Sequence, residues 1–576
     1  MFKSLIWGIA RRGRKVTHKR WLYSAASTGP SGVFARRAIL LFPSAAAGFY
    51  AFTDDKGKRS AYAVTAIPLR LARDVYCAGA TLLDYKLLFL RGLEGDALES
   101  AKEECHQRGA DRLLDLCFAN GGIYIKLGQH IAMLDHLLPR PYVSTLRKNL
   151  LERCPVSSID SVRTTIKEDL GQSLEELFSD FDPNPIASAS LAQVHVATDR
   201  NTGAKVAVKV QHAGLRETSS VDLATIEVLV RFVRFVAPSA DYMWLVDEAK
   251  ENLPMELDFL VEASNAERCA RLLSSPGSRV RERVVAPSID RTKSSHRVLT
   301  MEYINGIKVT DQVGLKRLGI SPQAVARLIS MVFADMIFKH GDVHADPHAA
   351  NMLLRQAPSG CGQSWQLVLL DHGLYRRLDD NFRLQYASLW RSLIFGDVQG
   401  IVKSATAMNA GDAVPLFAGM LTQRPWRDVT ASQRGTERLR LQYTAEEREE
   451  LQGYAGKYAK DIARLLARIP HELLLLLKTN DCLRAVDAEL GAGVNNYIIT
   501  ARACSSALAR HREECSPGWR SRIASYAERV SLESCLALFS LAVWFEPMRH
   551  LFWGSEESGN EEMDDQLIKT LSSGMT

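Results

Sequence analysis

The chain reads His344-Ala345-Asp346-Pro347-His348-Ala349-Ala350-Asn351 and, further on, Asp371-His372-Gly373. Between these stretches lie two short apolar runs, separated by a loop that contains Gly and Ser. Short apolar runs bounded by turn residues predict a pair of strands. Paired around the loop, the strands would bring Asn351 and Asp371 to the same end of a hairpin. An amide oxygen and a carboxylate placed together there could face one Mg2+–phosphate cluster.

The first stretch fits the protein-kinase catalytic loop, H-x-D-x-x-x-x-N, without a gap. In that loop the Asp positions the group that attacks the phosphate, and the Asn holds metal. The pattern therefore predicts that Asp346 is catalytic and that Asn351 and Asp371 bind Mg2+. An isolated Asp and Asn more often lie on a solvated loop, and here the flanking strand pattern favours the catalytic interpretation.

The segment before this loop predicts a buried helix. Ser321 is followed by Pro322, a typical N-cap and first helical residue. Before Gly341, apolar residues recur at helical spacing, at Val325, Leu328, Ile329, Val332, Phe333, Met336 and Ile337. A core helix that leads into a short catalytic loop is typical of a kinase C-lobe, although the stripe alone indicates only a buried helix.

A further motif places a lysine at the end of an alternating strand, Val206-Ala207-Val208-Lys209. Such a lysine usually keeps its charged head in solvent, but in a kinase-like chain it can bind the α- and β-phosphates and pair with a helix carboxylate. The preceding residues 185–195 read PIASASLAQVH, where kinases have a glycine-rich loop. Small residues let the backbone approach phosphate, and alanine makes the loop stiffer than glycine would. We expect the nucleotide to contact Ala187, Ser188, Ala189 and Ser190.

Two more motifs make the chain resemble the UbiB family of atypical kinases, also called aarF-domain kinases. Lys126-Leu127-Gly128-Gln129 matches the K-x-G-Q motif of the family, and Glu256-Leu257-Asp258 matches its E-x-D motif. The family also has an alanine-rich loop in place of the glycine-rich one. The resemblance runs from about residue 105 to about residue 500. Asp371-His372-Gly373 and Lys478-Thr479-Asn480-Asp481 resemble a mitochondrial branch whose metal motif is DHG.

The resemblance implies an α+β, two-lobed, atypical protein-kinase-like fold. It has a small β-rich N-lobe, a helical C-lobe and a helical N-terminal extension that carries the K-x-G-Q motif. It also implies ATP and Mg2+ as cofactors, with Lys209 paired to Glu262 and with Glu302 and Tyr303 in the nucleotide site. Asp346 would be the base or would position the attacking group.

In the family, the K-x-G-Q helix lies across the cleft where a protein kinase takes its peptide. Lys126 would therefore meet Glu256 or Asp258, and Gln129 would share its helix face because the two are three residues apart. Without the resemblance, Lys126 would be interpreted as part of a solvated helix face. A covered cleft favours ATP hydrolysis or a small, lipid-like acceptor over general Ser/Thr protein kinase activity.

Three positions depart from the family pattern. Ser188 adds a hydroxyl near the phosphates, Ala349-Ala350 stands where Pro-Gly is usual, and His372 replaces a phenylalanine that packs rather than reacts. No A-P-E segment follows, so we do not expect regulation by phosphorylation of an activation loop.

The first 53 residues contain nine Lys or Arg but no Asp or Glu. This composition is typical of a mitochondrial transit peptide, and a basic nucleic-acid-binding arm is the alternative. Residues 38–52 are nearly all apolar but are interrupted by Pro43 and Ser44, which makes them marginal for a span of about 20 residues. They could be an inner-membrane anchor, part of the import signal or a packed helix. The sequence leaves the matrix and intermembrane-space sides open.

The net charge of +6 is smaller than the charge of this basic segment, so the rest of the chain gives no reason to expect nucleic-acid binding. The apolar run at 535–545 is too short to span a bilayer and is expected to pack or to dip into an interface. The expected parts are a targeting segment, the helical extension, the N-lobe, the C-lobe and a C-terminal extension with a disordered tail, at residues 1–53, 54–155, 156–312, 313–520 and 521–576.

These features predict a mitochondrial, inner-membrane-associated kinase or ATPase that supports coenzyme Q biosynthesis or mitochondrial lipid homeostasis. The expected partners are ATP, the inner membrane or a lipid, a lipid-like small molecule and a second copy of the chain. The alternative is a nucleotide-switched scaffold that organises partners without turnover. The stiff loop and Ala349-Ala350 favour the scaffold mildly, and the retention of all four predicted catalytic residues argues against it: Lys209, Asp346, Asn351 and Asp371.

Overall fold

The computed structural model describes residues 55–553, except for 133–137, 151–153, 237–241, 277, 412, 425, 431–458, 467 and 493–495. The predicted targeting segment, the apolar stretch 38–52 and the tail after 553 lie outside the described residues. The chain divides into two compact units, Met1–Arg70 and Leu71–Thr576. Of the first unit, the structure describes only the beginning of the first helix.

Four helices come first along the chain: α1 (Asp55–Leu90), α2 (Gly95–Asn120), α3 (Ile123–Ile131) and α4 (Arg140–Leu150). α3 carries the K-x-G-Q motif and packs in one apolar cluster with α2 and α4. Gly128 makes this close packing possible, because a Cβ at that position would lie 2.4 Å from Leu150 Cδ1 and 3.0 Å from Cys117 Sγ. The glycine of the motif is therefore required by helix packing.

The N-lobe contains a five-stranded antiparallel sheet in the order β1-β3-β4-β6, with β2 paired to β3. Its strands are β1 (Phe178–Phe181), β2 (Ala187–Ser188), β3 (Ala192–Asp199), β4 (Lys205–Gln211) and β6 (Val298–Glu302). The helices of this region are α5 (Ile159–Leu170), α6 (Leu174–Leu177), α7 (Leu215–Val236), α8 (Met243–Glu256) and α9 (Phe259–Leu273).

The two faces of strand β4 pack against different helices. Val208 and Val210 are buried in a cluster with α5, whereas Ala207 is buried in a cluster with Phe259 and Ala263 of α9. Because side chains alternate along a strand, Lys209 belongs to the face that looks toward α9. The alternation of side chains along β4 therefore places Lys209 on the side of the sheet where α9 can provide an acidic partner.

Two smaller sheets carry the predicted catalytic loop. One has the order β5-β10-β9-β7, and the other pairs β11 with β8. Their strands are β5 (Val284–Val285), β7 (Ile307–Lys308), β8 (Asp342–His344), β9 (Met352–Gln356), β10 (Trp365–Leu369) and β11 (Tyr375–Arg377). The segment after His344 therefore runs from β8 into β9, and residues 371–373 run from β10 into β11. The predicted hairpin is the antiparallel pair β9–β10.

The C-lobe is otherwise helical. Its helices are α10 (Gln312–Leu318), α11 (Pro322–Ala334), α12 (Asp380–Phe395), α13 (Val398–Ala407), α14 (Val414–Thr422), α15 (Trp426–Thr430), α16 (Ala459–Leu466), α17 (His471–Leu490), α18 (Asn496–Cys515) and α19 (Trp519–Trp553). The largest core cluster is formed by these helices around the fully buried Tyr386 and Phe417. The mixture of small sheets and a helical lobe confirms the predicted α+β class.

The helix before the catalytic loop differs from the prediction at its end. Ser321 caps α11 by accepting a hydrogen bond from Ala324 N at 3.4 Å, and the predicted apolar stripe is buried. The helix continues to His340 and ends at Gly341, as predicted, but its last residues, Asp335–His340, form a π-helical turn in place of an α-helical one. Such turns are rare and frequently lie near functional sites. Gly341, with φ of 63°, then ends the turn and lets the chain enter β8.

No single helix among the described residues has both the length and the apolarity of a membrane span. The bent pair of α10 with residues 322–340 meets both criteria together, by length and composition only. The apolar run 535–545 lies within the long helix α19.

Candidate functional site

Lys209 connects the N-lobe helix α9 with the segment that follows β10. Its Nζ lies 2.7 Å and 2.9 Å from the two carboxylate oxygens of Glu262, and 3.7 Å from Asp371 Oδ2. The ammonium also lies 5.1 Å from the centre of the Phe259 ring. Three acidic oxygens and one aromatic face therefore hold a single cation in place.

The Lys209–Glu262 pair is buried, and the two side chains retain 14% and 3% of their exposure. Burial raises the pKa of Glu262 to about 6, although the attraction of Lys209 opposes this rise. Burial also favours neutral Lys209, but Asp371 and Glu262 outweigh it and raise the pKa of the ammonium. Desolvation makes such a pair a poor source of stability. Its two hydrogen bonds instead fix where the charge lies.

Asp258 sets the start of the helix that carries Glu262. Leu260 N donates to Asp258 Oδ1 at 3.0 Å, and His296 Nδ1 lies 2.8 Å from the same oxygen. This is an N-cap contact, which satisfies a backbone donor that the helix itself cannot pair. The second acid of the E-x-D motif therefore positions α9 and does not form the ion pair with Lys126.

The same helix holds the segment 371–373. Asn265 Nδ2 donates to the His372 carbonyl at 3.0 Å, and Arg268 Nη2 donates to Asn265 Oδ1 at 2.9 Å. Arg268 also forms an ion pair with Asp342 on β8. Because Glu262, Asn265 and Arg268 are three residues apart, they follow one face of α9. One helix face thus positions the lysine, the segment 371–373 and strand β8, which leads into the catalytic loop.

Asn351 and Asp371 lie at the same end of the β9–β10 hairpin. Leu370 N donates to the Asn351 carbonyl at 2.9 Å, which extends the ladder to the residue before Asp371. Asp371 Oδ1 accepts a hydrogen bond from Gly373 N at 2.9 Å. Burial would raise the pKa of Asp371, but Lys209 and this backbone donor lower it.

The oxygens at this hairpin end suit Mg2+ when phosphate completes the coordination. Nowhere in the described ranges do three or more His, Cys, Asp or Glu side chains form a group that could hold a metal alone. No described residue hydrogen-bonds the side-chain amide of Asn351, so its oxygen is available. One or two protein oxygens plus substrate phosphates are the usual ligands of Mg2+ at nucleotide sites.

Two buried histidines brace the catalytic loop. His344 Nδ1 accepts a hydrogen bond from Asp346 N at 3.2 Å. His372 Nε2 lies 3.0 Å from the Leu369 carbonyl and its Nδ1 lies 2.9 Å from the Tyr375 hydroxyl. Since a carbonyl only accepts, Nε2 carries the hydrogen and Nδ1 accepts from the tyrosine. Burial lowers the pKa of His372 to about 3, so this ring packs as a neutral group.

Asp346 lies beneath two lysines that come from distant parts of the chain. Its Oδ1 is buried without a hydrogen-bond partner among the described residues, and Lys478 Nζ of α17 lies 3.7 Å away. Burial alone would raise the pKa of Asp346, but Lys478 and Lys126 outweigh it and hold the pKa well below its usual range. These cations favour the charged carboxylate, the form that can accept a hydrogen bond from an attacking hydroxyl or water.

Lys126 pairs with the first acid of the E-x-D motif. Its Nζ lies 2.6 Å from Glu256 Oε2, and both side chains are largely buried. Burial opposes the charge of Lys126, but Glu256, Asp346 and Asp371 raise its pKa. An apolar cluster holds α3 beside this ion pair. It joins Ile123 and Leu127 of α3 to Leu191 of the alanine-rich loop and to Leu253 and Leu257 at the end of α8.

Gln129 and His130, near the end of α3, have different environments. Gln129 Nε2 donates to the Leu150 carbonyl at 2.9 Å, so Gln129 ties α3 to α4. His130 Nε2 is buried without a hydrogen-bond partner in the described part of the chain. Burial, together with Lys478 and Lys126, holds the pKa of His130 far below its usual range.

The alanine-rich loop is braced from behind. Ser188 Oγ donates to the Pro155 carbonyl at 2.5 Å, and Ala189 N donates to the Ala192 carbonyl at 2.8 Å. His212 Nε2 lies 3.1 Å from the Ala189 carbonyl. The hydroxyl of Ser188 therefore donates its hydrogen to the protein backbone and not to a phosphate. These contacts give a physical basis for the stiff loop that the sequence suggests.

Glu302 and Tyr303 lie where the chain crosses from the N-lobe sheet to the C-lobe sheet, between β6 and β7. Glu302 Oε1 accepts a hydrogen bond from Arg355 on β9 at 2.6 Å. Tyr303 N approaches the Lys205 carbonyl at 3.4 Å. The crossing is tight at Gly306, where a Cβ would lie 2.7 Å from the Leu354 carbonyl.

Comparisons with known proteins agree with this geometry. Residues 149–405 match the family described as the ABC1 atypical kinase-like domain. A putative ABC1 protein of Arabidopsis thaliana is 43% identical over 512 residues, which cover 87% of this chain and 94% of that protein. AarF domain-containing protein kinase 1 of Xenopus tropicalis is 41% identical, with 81% and 87% covered. This chain belongs to the ABC1 family of atypical kinase-like proteins.

A solved Mycobacterium tuberculosis protein in complex with erythromycin is 22% identical, with a TM-score of 0.41 over 70% of this chain and 97% of that one. The predicted UbiB and aarF resemblance is confirmed by the ABC1 match, and the α+β kinase-like fold is confirmed with it.

The ABC1 chain contains polar residues around the site whose roles the sequence alone did not assign. Lys478 belongs to a motif that indicated only a branch of the family, and it lies outside the matched range 149–405. His130 directly follows the K-x-G-Q motif. Asn265 and Arg268 could have been found from their helical spacing with Glu262.

Proposed function

We propose that this chain is a Mg2+- and ATP-dependent phosphotransferase or ATPase. The proposal rests on one arrangement: Lys209 is held by Glu262 beside Asp371, at the hairpin end that also carries Asn351. In kinases a lysine and a carboxylate pair orient the phosphates, while an Asp and an Asn hold the metal. A chain that needed only to bind a partner would have no use for this set.

Each residue has a distinct role in the proposal. Lys209 orients the α- and β-phosphates, and Asn351 and Asp371 hold Mg2+. The bound Mg2+ would neutralise the charge that develops on the phosphoryl group. Asp346 would accept a hydrogen bond from the attacking group through the carboxylate that Lys478 and Lys126 keep charged. The segment Ala187–Ser190, with Glu302 and Tyr303, would line the nucleotide.

The acceptor is proposed to be water or a small, lipid-like molecule. Lys126 and Lys478 both act on the Asp346 carboxylate, and the pair of Lys126 with Glu256 is nearly closed to solvent. A peptide that needed to reach Asp346 would have to displace α3 and separate that pair. A lipid phosphate or phenol is smaller, and water is smaller still.

The proposed setting is the mitochondrion, at the inner membrane, in coenzyme Q biosynthesis or mitochondrial lipid homeostasis. The acid-free, basic first 53 residues and the DHG motif support it. A homodimer and the boundaries of the two lobes are part of the same proposal. No nucleic-acid partner is proposed.

The test is ATP turnover by the full chain with and without Mg2+. Asp371→Asn should abolish turnover because it removes a metal ligand and a neighbour of Lys209. The matched control is Asp180→Asn, which neutralises an exposed aspartate on β1. ATP binding with no turnover above that of Asp371→Asn would leave the nucleotide-switched scaffold as the function.

A further inference from the structure

Helix α19 exposes an apolar stripe to solvent. Trp519, Ile523, Tyr526 and Val530 recur at helical spacing and are 68%, 58%, 69% and 47% exposed. Residues spaced by three or four share one side of a helix. The stripe is about 16 Å long at a rise of about 1.5 Å per residue.

The side of this stretch that faces the protein is mostly polar. Ser521 and Ser525 are buried, and Glu528 forms ion pairs with Arg391 and Arg512. An ordinary surface helix does the reverse, since it buries its apolar stripe and exposes its polar side. The first turns of α19 therefore have an inverted polarity that core packing does not explain.

Positive charge borders the stripe. Arg520, Arg522 and Arg529 are exposed, and within the described ranges none of them forms an ion pair. The two acids of this stretch, Glu528 and Glu533, are already paired with arginines of neighbouring helices. The outer side of α19 thus combines two aromatic rings, two aliphatic side chains and three arginines, of which Arg529 also acts on Glu533 at longer range.

We infer that this outer side of α19 docks on an anionic lipid surface. Trp and Tyr are favoured at the membrane–water interface because each has an apolar ring and a polar tip. Arginines beside them attract the phosphates of anionic lipids. A helix with this polarity lies flat, with its apolar side at the boundary between headgroups and acyl chains.

A second copy of the chain fits this surface poorly. Two copies that met through the stripe would bring their arginines together, and neither would offer an unpaired acid from this stretch. Juxtaposed like charges oppose association. The inference gives the proposed membrane association a particular surface and does not depend on ATP turnover.

The experiment is flotation of the full chain with vesicles of phosphatidylcholine, with and without phosphatidylglycerol. One variant combines Trp519→Ser with Tyr526→Ser, and another combines Arg520→Gln, Arg522→Gln and Arg529→Gln. The control is Phe232→Ser on α7. Phe232 is 51% exposed, and Arg231 beside it is paired with Glu227. The N-terminal segment is the same in wild type and in every variant, so any affinity that it has for membranes does not affect the comparison.

The inference predicts that both α19 variants lose at least tenfold in affinity for anionic vesicles, whereas Phe232→Ser does not. Each arginine should contribute roughly fivefold, and raising the salt concentration should weaken the wild type most. Basal ATP turnover without vesicles should stay unchanged in both variants. Equal vesicle affinity of wild type and the Trp519–Tyr526 variant would overturn the inference. A change of oligomeric state by light scattering, with unchanged vesicle binding, would assign the stripe to a second copy instead.

Discussion

Lys478 Nζ lies 3.7 Å from Asp346 Oδ1, a buried oxygen that no described group hydrogen-bonds. The two residues come from α17 and from the loop after β8, so only the folded C-lobe brings them together. Because the lysine stabilises the charged carboxylate, it keeps Asp346 ready to accept a hydrogen bond at neutral pH. Lys478 therefore positions and tunes the predicted catalytic residue without needing to contact substrate.

Lys478→Met should raise the pKa of Asp346, since the larger of the two opposing cationic contributions is removed and burial remains. The acid limb of the pH–rate profile should move upward by about one unit, whereas turnover at pH 7 should stay close to that of wild type because the carboxylate remains charged there. The measurement is kcat for ATP hydrolysis from pH 3 to 9, with circular dichroism to verify that both proteins stay folded. Lys316→Met, which removes an exposed lysine at the end of α10, serves as the control. An unchanged pH–rate profile would show that Lys478 does not lower the pKa of Asp346.

Lys209→Met should destabilise the protein because it leaves Glu262 buried without its counter-charge. Breaking a buried pair in this way costs about 3–5 kcal/mol. The double variant Lys209→Met with Glu262→Gln should recover part of this loss, since residue 262 then carries no buried charge that lacks a partner. Urea unfolding of the two variants and wild type measures the difference. If the double variant were no more stable than the single one, the buried charge would not be the cause.

His372→Phe should make stability less dependent on pH. The folded pKa of His372 is lowered to about 3, whereas an unfolded histidine titrates near 6.5. Between these values the unfolded state binds the proton, so the free energy of unfolding falls as the pH drops below 6.5. At pH 5 the histidine should cost about 2 kcal/mol, a loss that phenylalanine avoids. Urea unfolding of both proteins at pH 7 and pH 5 gives the change in the free energy of unfolding between the two pH values. An equal change in wild type and in His372→Phe would contradict the neutral, buried state.

Lys126→Ala tests whether α3 excludes protein substrates. The substitution removes the ion pair with Glu256 and loosens the helix over Asp346. If the chain is a protein kinase held shut by this pair, autophosphorylation with labelled ATP should rise well above that of wild type. The proposed small acceptor predicts no such rise. Lys148→Ala, at an exposed position of α4, controls for loss of a lysine.

The sequence predicted the local parts of the site well. The hairpin that joins Asn351 to Asp371 follows from two short apolar runs, because strand pairing around a short loop is a local property. The cap at Ser321 and the buried stripe of α11 have the same origin. The pairing of Lys209 with Glu262 was expected only from the family resemblance, since a strand and a helix far apart in sequence carry no local signal of contact.

Contacts between elements that lie far apart in the sequence could not be predicted from the sequence. Nothing in the motif at Lys478 indicates that it reaches Asp346, because the distance depends on how α17 packs in the C-lobe. The π-helical turn at Asp335–His340 shares its apolar pattern with an ordinary helix, so the pattern could not distinguish them. The inverted polarity of α19 depends on which side meets the core, and only the fold decides that.

The most direct test of the catalytic account is Asp346→Asn, with ATP affinity and turnover measured on the same samples. Asparagine keeps the size of the side chain but cannot carry the charge that accepts a hydrogen bond from the attacking group. The account predicts that Mg2+-ATP binds with wild-type affinity while kcat falls by at least about 100-fold. Turnover equal to that of wild type would contradict the catalytic role of Asp346 and the account built on it.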